Sequence, residues 1–314
     1  MKKLSFLVSL TNNDNDYQIE QAAAVDEAAR RLGVAVQIVS ADNDAITQSQ
    51  QILKLVQSRT EPRPDGVIFE PVGGTALSQV ARAAAAAGIG WVVLNRDVEY
   101  IVELRKAYGI PCFAMTSDHE EIGRIQGRQF AVLLPKGGSV LYIQGPAESL
   151  AAKQRTAGMY ETKPADVQVK IMKGNWTEES ANRTVSSWLR LSTSYQTPVD
   201  AIAAQDDSMA IGARKAIQEL PQDDARRRWL SLPFLGCDGL PKTGQAWIKR
   251  GLLTASVFVP PNADKALDKL VRAIQTNSMP PERNLTVPAS IPPLEELAKL
   301  HAEKARVLAA GRAD

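Results

Sequence analysis

Three aspartates fall where an apolar run stops and a turn or helix begins. Ile202–Asp207 reads I-A-A-Q-D-D and opens into S-M-A-I-G-A, while Leu235–Pro241 reads L-G-C-D-G-L-P. Asp206, Asp207 and Asp238 are therefore strand-end residues, and Glu70 takes the same place in V-I-F-E-P-V-G-G. Carboxylates at the carboxyl ends of strands in an open α/β sheet border the crevice in which such sheets bind ligands. There they accept hydrogen bonds from the hydroxyls of a polyhydroxylated molecule. Aspartate next to a helix start also serves as its cap. Asp207, directly ahead of the helix, is assigned to the cap, and Asp206 and Asp238 to a ligand.

Other chemistries lack their residues. The two histidines, His119 and His301, have no ligand spacing around them, and Cys112 and Cys237 lie in apolar runs in opposite halves of the chain. Both thiols read as small buried hydrophobes rather than a disulfide or a metal site. No serine combines a nucleophile elbow with a histidine base. G-I-G-W at Gly88–Trp91 leads into a strand instead of opening a helix, and no G-x-x-x-x-G-K-[ST] loop is present. No catalytic residue, cofactor or metal is expected, and the chain is not expected to be an enzyme. Its net charge is +2, and its one basic run, Arg226–Arg228, follows Q-D-D-A as a solvated helix end would. That is no nucleic-acid footprint. N-W-T, N-R-T and N-L-T match a glycosylation acceptor, a triplet that arises often by chance.

The elements that must hold these carboxylates alternate throughout. Strand Leu4–Leu10 precedes an amphipathic helix, Tyr17–Leu32, stopped by Gly33. V-A-V-Q-I-V, a helix around Ile46–Arg59 and strand D-G-V-I-F-E follow. The Ala-rich helix Ala76–Ala87 leads to strand W-V-V-L-N, and a short helix near Val98–Tyr108 to strand P-C-F-A-M. After Ser117 the pattern restarts: helix Glu120–Leu134, strand S-V-L-Y-I-Q-G, helix Ala151–Tyr160, strand V-Q-V-K-I-M-K, helix Glu178–Leu191, strand D-A-I-A-A-Q, helix Ser208–Leu220 and strand P-F-L-G-C-D. Strands separated by helices of this length predict βαβ units and parallel sheets. P-x-D-G-V-I at Pro64–Ile68 and P-V-D-A-I at Pro198–Ile202 hold similar places in the two halves, and 314 residues provide for two domains of ~150 each. The expected class is α/β, with two doubly wound parallel-sheet lobes joined by a three-segment hinge. Residues 1–117 with 259–287 form the N-terminal lobe, and residues 118–258 with 288–314 the C-terminal lobe. The crossings fall near Ser117–His119, Phe258–Pro260 and Val287–Ser290.

No apolar stretch approaches the ~20 residues of a membrane span. The start, M-K-K-L-S-F-L-V-S-L, imitates a leader, but T-N-N-D-N-D follows in place of a small-residue cleavage site. The chain reads either as a mature form without its leader or as a cytoplasmic protein.

These motifs in order carry a resemblance. N-D-Y-Q at Asn15–Gln18, D-G-V-I-F-E-P, V-V-L-N-R-D, T-S-D-H-E-E-I-G, A-K-Q-R-T-A-G-M, A-A-Q-D-D-S-M-A-I-G-A, L-G-C-D-G and T-A-S-V-F-V-P-P resemble the type I periplasmic sugar-binding proteins of the ribose-binding kind. That family shares its fold with the ligand-binding cores of lactose-repressor-type regulators. The likeness runs from Leu4 to about Pro293. It implies ligand contacts from Asn15 and Tyr17 after the first strand, from Glu70, from Arg96 and from Asp118 at the first crossing. In the second half it implies Arg155, Trp176, Asp206 and Asp238. Asn95 stands where the family has Asp, Asp206 where it commonly has Asn, and Phe258 and Val259 where it has a Gln segment. These departures count against ribose itself.

The implied chemistry is coherent. Tyr17 and Trp176 can cover the C–H faces of a sugar ring, Arg96 and Arg155 donate paired hydrogen bonds, and the four carboxylates accept from hydroxyls. Four carboxylates against two arginines suit a polyol or a sugar carrying an amine. Trp176 also fits a core position, and Arg96 an ion pair with Asp97 or Glu99. The resemblance implies a monomeric solute receptor delivering a small sugar or polyol to an ABC transporter permease. The alternative is the ligand-sensing domain of a regulator or sensor kinase. The terminal helix L-E-E-L-A-K-L-H-A-E-K-A-R fits packing or a partner surface.

Overall fold

A computed structural model of the protein describes residues 3–60, 62–72, 77–194 and 197–310. They form two compact units: residues up to Ser117 with Pro260–Thr286, and Asp118–Val259 with the residues from Val287 onward. The first unit begins with β1 (Ser5–Leu10), α1 (Asp16–Leu32), β2 (Ala35–Ser40), α2 (Ala45–Val56), β3 (Gly66–Phe69), α3 (Ser78–Ala86), β4 (Gly90–Leu94), α4 (Tyr100–Tyr108) and β5 (Cys112–Ser117). The second takes α5 (His119–Leu133), β6 (Gly138–Gln144), α6 (Leu150–Thr162), β7 (Val167–Lys173), α7 (Glu178–Leu189) and β8 (Ala201–Ala204). It continues with α8 (Asp207–Gln218), α9 (Asp224–Ser231), β9 (Phe234–Leu235), α10 (Gly244–Lys249) and β10 (Ser256–Phe258). The chain returns to the first unit for α11 (Ala263–Thr276) and β11 (Arg283–Thr286), then ends in the second with β12 (Ala289–Ile291) and α12 (Leu294–Ala310).

The first unit's sheet has the order β11-β5-β4-β3-β1-β2, all parallel. The inner strands β3, β4 and β5 are buried along their whole length, which is why they read as unbroken apolar runs, whereas edge strand β2 is largely exposed. Each face carries its own core. Phe6, Val8, Ile68, Val92 and Phe113 pack under α1 and α11. Leu7, Val67, Phe69, Trp91 and Cys112 pack under α2, α3 and α4. Gly66 and Gly90 lie under Leu270 of α11, where an added Cβ would come within 2.6 and 2.8 Å of its methyls, so glycine lets this helix seat on the sheet.

The second unit's sheet has the order β7-β6-β8-β9, again parallel, and β10 and β12 make a separate antiparallel pair. One face is covered by α7 and α8, with Trp188 of α7 set edge-on against Trp229 of α9. The other is covered by α5 and α6, with Phe130, Tyr142 and Met159 at its centre. In both units β1 and β6, the first strands, lie inside their sheets. The chain therefore reverses direction of winding at β1/β3 and at β6/β8, the switch points of doubly wound sheets.

Several expectations need correction. Val259 groups with the second unit, because its N–H donates to Asp238 O at 2.9 Å, and Val287 also falls there. The Ala-rich helix starts at Ser78; Ala76 lies outside the described residues, as do 311–314. The basic run Arg226–Arg228 lies within α9 rather than at a helix end, with Trp229 as the buried residue of that helix. Both thiols are free and buried, one in each unit. Among the described residues, no helix is long and apolar enough to cross a membrane.

Candidate functional site

In the first unit the candidate residues follow the carboxyl ends of β1, β3 and β4. Asn15 caps α1: its Oδ1 accepts from Tyr17 N at 2.9 Å and Gln18 N at 3.4 Å. Tyr17 is buried and its hydroxyl donates to Pro260 O at 3.3 Å. Glu70, one residue past β3, accepts from Gln18 Nε2 at 2.9 Å, and Gln18 Oε1 in turn accepts from Thr11 N. Gln48 fixes the same strand end, donating to Glu70 O at 2.8 Å and accepting from Val72 N at 3.0 Å.

Arg96 follows a tightly held residue. Asn95 adopts φ 54, a left-handed conformation that asparagine tolerates. Its Oδ1 accepts from Asn262 Nδ2 at 2.7 Å, and Asn262 is held by Gln21 through bonds of 2.7 and 2.8 Å. Arg96 is half-buried and lines an open concavity of about 520 Å³ with Arg82, Asp97, Val98, Glu99, Tyr100 and Glu103. Asp97, offered above as its ion-pair partner, pairs with Arg283 at 2.8 Å.

In the second unit the candidates follow β7, β8 and β9 and gather around one arginine. Arg155 projects from α6, 7% exposed, with its guanidinium 5.5 Å from the Trp176 ring centre and Nη1 4.0 Å from Asp238 Oδ1. Nη1 also donates to Gln205 O. Among the described residues, its buried Nε has no hydrogen-bond partner. Burial opposes the charge, but Cys237, Asp238 and Asp206 nearby outweigh it, so the pKa lies above the ordinary arginine value. Burial pushes the neighbouring Cys237 thiol well up.

Trp176 sits in the turn between β7 and α7 at φ 58. Its ring lies against Gly145, where any side chain would collide with the indole, and it packs, partly buried, against the core under α7 and α8. It is thus partly a core residue. Thr177 behind it caps α7, accepting from Ser180 N at 3.2 Å. Asp238 also takes a positive φ, 99. Its N–H donates to Val257 O at 2.8 Å and its backbone bridges to Phe258, which is half-buried at the end of β10.

The capping assignment at α8 is reversed. Asp206, not Asp207, is the N-cap, accepting from Met209 N at 2.6 Å. Asp207 is a buried tie: Oδ2 accepts from Gly239 N at 2.7 Å and Oδ1 from Ser256 Oγ at 2.6 Å. One residue separates the roles because the cap must keep extended backbone, and Asp206 has φ −145. Asp118 likewise caps α5, accepting from Glu121 N at 2.9 Å.

Sequence reasoning missed the amides that hold all this. Gln18, Gln21, Gln48, Gln126, Gln205 and Asn262 are buried, and each bonds a strand end or a turn. The available signal was a polar residue on an otherwise apolar stripe: Gln18 and Gln21 share the buried face of α1 with Val25, Ala28 and Ala29.

The model of the periplasmic binding protein domain family matches residues 6–277. A putative rhizopine-binding protein of Rhizobium meliloti is 28% identical over 200 residues, which are 62% of this chain and 61% of that protein's length. The ribose import binding protein of Bacillus subtilis is 24% identical over 263 residues, 83% of this chain and 77% of that one. An ABC transporter periplasmic solute-binding protein from Actinobacillus succinogenes, solved with bound D-allose, superposes with a TM-score of 0.79 at 18% identity. That superposition covers 95% of this chain and all of that one.

Proposed function

This chain belongs to the periplasmic binding protein domain family, and we propose from that premise that it is a non-enzymatic receptor for a small sugar or polyol. The observation that carries the reading is Arg155: a buried guanidinium with an unsatisfied Nε–H, flanked by Asp238, Asp206 and the face of Trp176. A buried donor without a partner costs about 1–3 kcal/mol, and a ligand oxygen that fills it recovers that cost. The hydroxyl bearing that oxygen can give its proton to a carboxylate beside it, so donors and acceptors alternate as a polyol requires. The indole covers C–H groups. Asn15, Tyr17, Glu70 and Arg96 supply the second set of groups, with Asp118 and Phe258 at the margins, and Asp206 serves both cap and ligand. One ligand engaging both sets favours a closed arrangement of the two units.

A relative named for ribose import supports transport over regulation. We assign the protein to the periplasm, as a monomer that presents its ligand to an ABC transporter permease.

Titration calorimetry against D-ribose, D-allose, xylitol and myo-inositol tests the proposal. At least one should bind with Kd of about 1 μM or tighter, about −8 kcal/mol. Failure of a wider panel of monosaccharides, amino sugars and cyclitols to bind would overturn it.

A further inference from the structure

Gln205 follows β8 directly, is completely buried and bonds residues that carry the second unit's site. Its Oε1 accepts from Gly145 N at 2.9 Å, the residue beneath the Trp176 ring. Its Nε2 lies 3.0 Å from Tyr142 Oη, 2.9 Å from Ala152 O and 2.9 Å from Thr156 Oγ1. Its own carbonyl accepts from Arg155 Nη1, and Asp206 is its chain neighbour. The surroundings leave the amide one orientation. Tyr142 gives its proton to Gln126 Oε1 at 2.9 Å, and Thr156 gives its proton to Ala152 O at 2.8 Å. Both hydroxyl oxygens therefore face Gln205 as acceptors, beside a backbone carbonyl. Only an –NH₂ satisfies that side, and only a carbonyl oxygen satisfies Gly145 N.

We propose that Gln205 is the positioning residue of the binding site, acting through Arg155 and Trp176 without touching the ligand. The inference rests on the reading that these two side chains bind it. Ala152 and Thr156 lie three residues before and one after Arg155, so bonding both fixes the height and rotation of α6 at the turn that carries the guanidinium. The bond to Gly145 N fixes the turn on which the indole rests. A free arginine loses rotamer entropy when ordered, and holding it beforehand moves that cost from binding to folding.

The test begins without ligand. Arg155 Nε–H, buried and unpartnered, should give a slowly exchanging ¹H–¹⁵N resonance, identified by its loss in Arg155→Met. Gln205→Glu keeps length and the acceptor for Gly145 N but sets an oxygen against three acceptors. It should speed that exchange at least tenfold and shift Trp emission. Thr156→Val, which removes one partner and is milder, should speed it about threefold, and it decides the matter if Gln205→Glu does not fold. The second arm is a cycle with whichever of D-ribose, D-allose, xylitol or myo-inositol the protein binds. Gln205→Glu should weaken binding at least tenfold in the native background and less than twofold in Arg155→Met. Absence of a protected Arg155 resonance, unchanged exchange in a folded variant, or full additivity in the cycle would overturn the proposal. If neither these four nor the wider panel binds, the receptor reading falls, while the exchange measurement still decides whether Gln205 holds Arg155.

Discussion

Asp238 carries two properties that separate under mutation. Its φ of 99 lies in a region that glycine enters freely and other residues enter at a cost of about 1–3 kcal/mol. Its carboxylate stands 4.0 Å from a buried arginine. Backbone strain at a candidate ligand residue predicts that Asp238→Gly and Asp238→Ala differ in the ligand-free protein. The glycine variant should melt higher than the alanine variant, by about 1 kcal/mol in unfolding free energy. Both should lose ligand affinity at least tenfold by calorimetry. Equal melting temperatures would mean the strain is not there, and retained affinity would remove Asp238 from the site. Asp206 allows a similar separation, since Asn caps a helix as well as Asp does while Ala costs about 0.5–2 kcal/mol. Asp206→Asn should keep the ligand-free stability that Asp206→Ala loses, and both should weaken binding. Full affinity in Asp206→Asn would reduce Asp206 to a cap.

At the scale of elements, the site depends on how closely α6 lies on α5. Gly158 of α6 meets Glu120 O, Gly123 of α5 meets Arg155 O, and a Cβ at either position would overlap backbone. Helix propensity alone favours alanine over glycine by about 1 kcal/mol. The packing reverses the sign: Gly158→Ala should destabilise by about 1–3 kcal/mol, since backbone cannot move aside as a side chain can. Chemical denaturation measures this, and a stabilised variant would refute the close crossing. The propensity reading fails here for the same reason that other parts of the molecule escaped the sequence. The inner strands were legible because burial on both faces writes an unbroken apolar run, as in G-W-V-V-L and S-V-L-Y-I-Q. α9 buries one residue and leaves no clear pattern, whereas β9 lies inside the run P-F-L-G-C-D expected as a strand, although only Phe234–Leu235 forms it. The α11 helix, although strongly two-faced, returns to the first sheet from far along the chain, and nothing local shows where its apolar face lands. The strand-end acids Glu70 and Asp238 were legible from position, whereas Arg96 came from the resemblance alone. The amides behind them were not, because a buried glutamine differs from an exposed one only in its neighbours.

At the scale of the whole molecule, each unit encloses one thiol, and this links stability to alkaline pH. Burial pushes Cys112 up to about 12 from 9.0, with Arg105 opposing. An unfolded thiol ionises near 9, so below that pH both states keep the proton and the stabilisation is fully present. Between pH 9 and 12 the unfolded chain releases the proton and the folded one does not, so stability falls. Cys112→Ala should show a shallower loss across that window in pH-dependent denaturation; an identical slope would mean that the thiol contributes nothing. The last expectation concerns the two units together. The chain passes between them at Ser117–Asp118, Val259–Pro260 and Thr286–Val287. The proposed ligand groups divide between them, with Arg96 and Glu70 on the first and Arg155 and Asp238 on the second. A ligand that bonds both sets gains its full contacts only when both reach it, and it shifts the population by that difference in affinity. Small-angle scattering should therefore show a smaller radius of gyration at saturation than without ligand. Arg96→Ala and Asp238→Ala, each weakening one side, should require at least tenfold more ligand for the same compaction. An unchanged radius at saturation would leave the receptor reading intact but remove closure from it. Compaction that depends on Asp238 and not on Arg96 would remove Arg96 from the groups that hold the ligand.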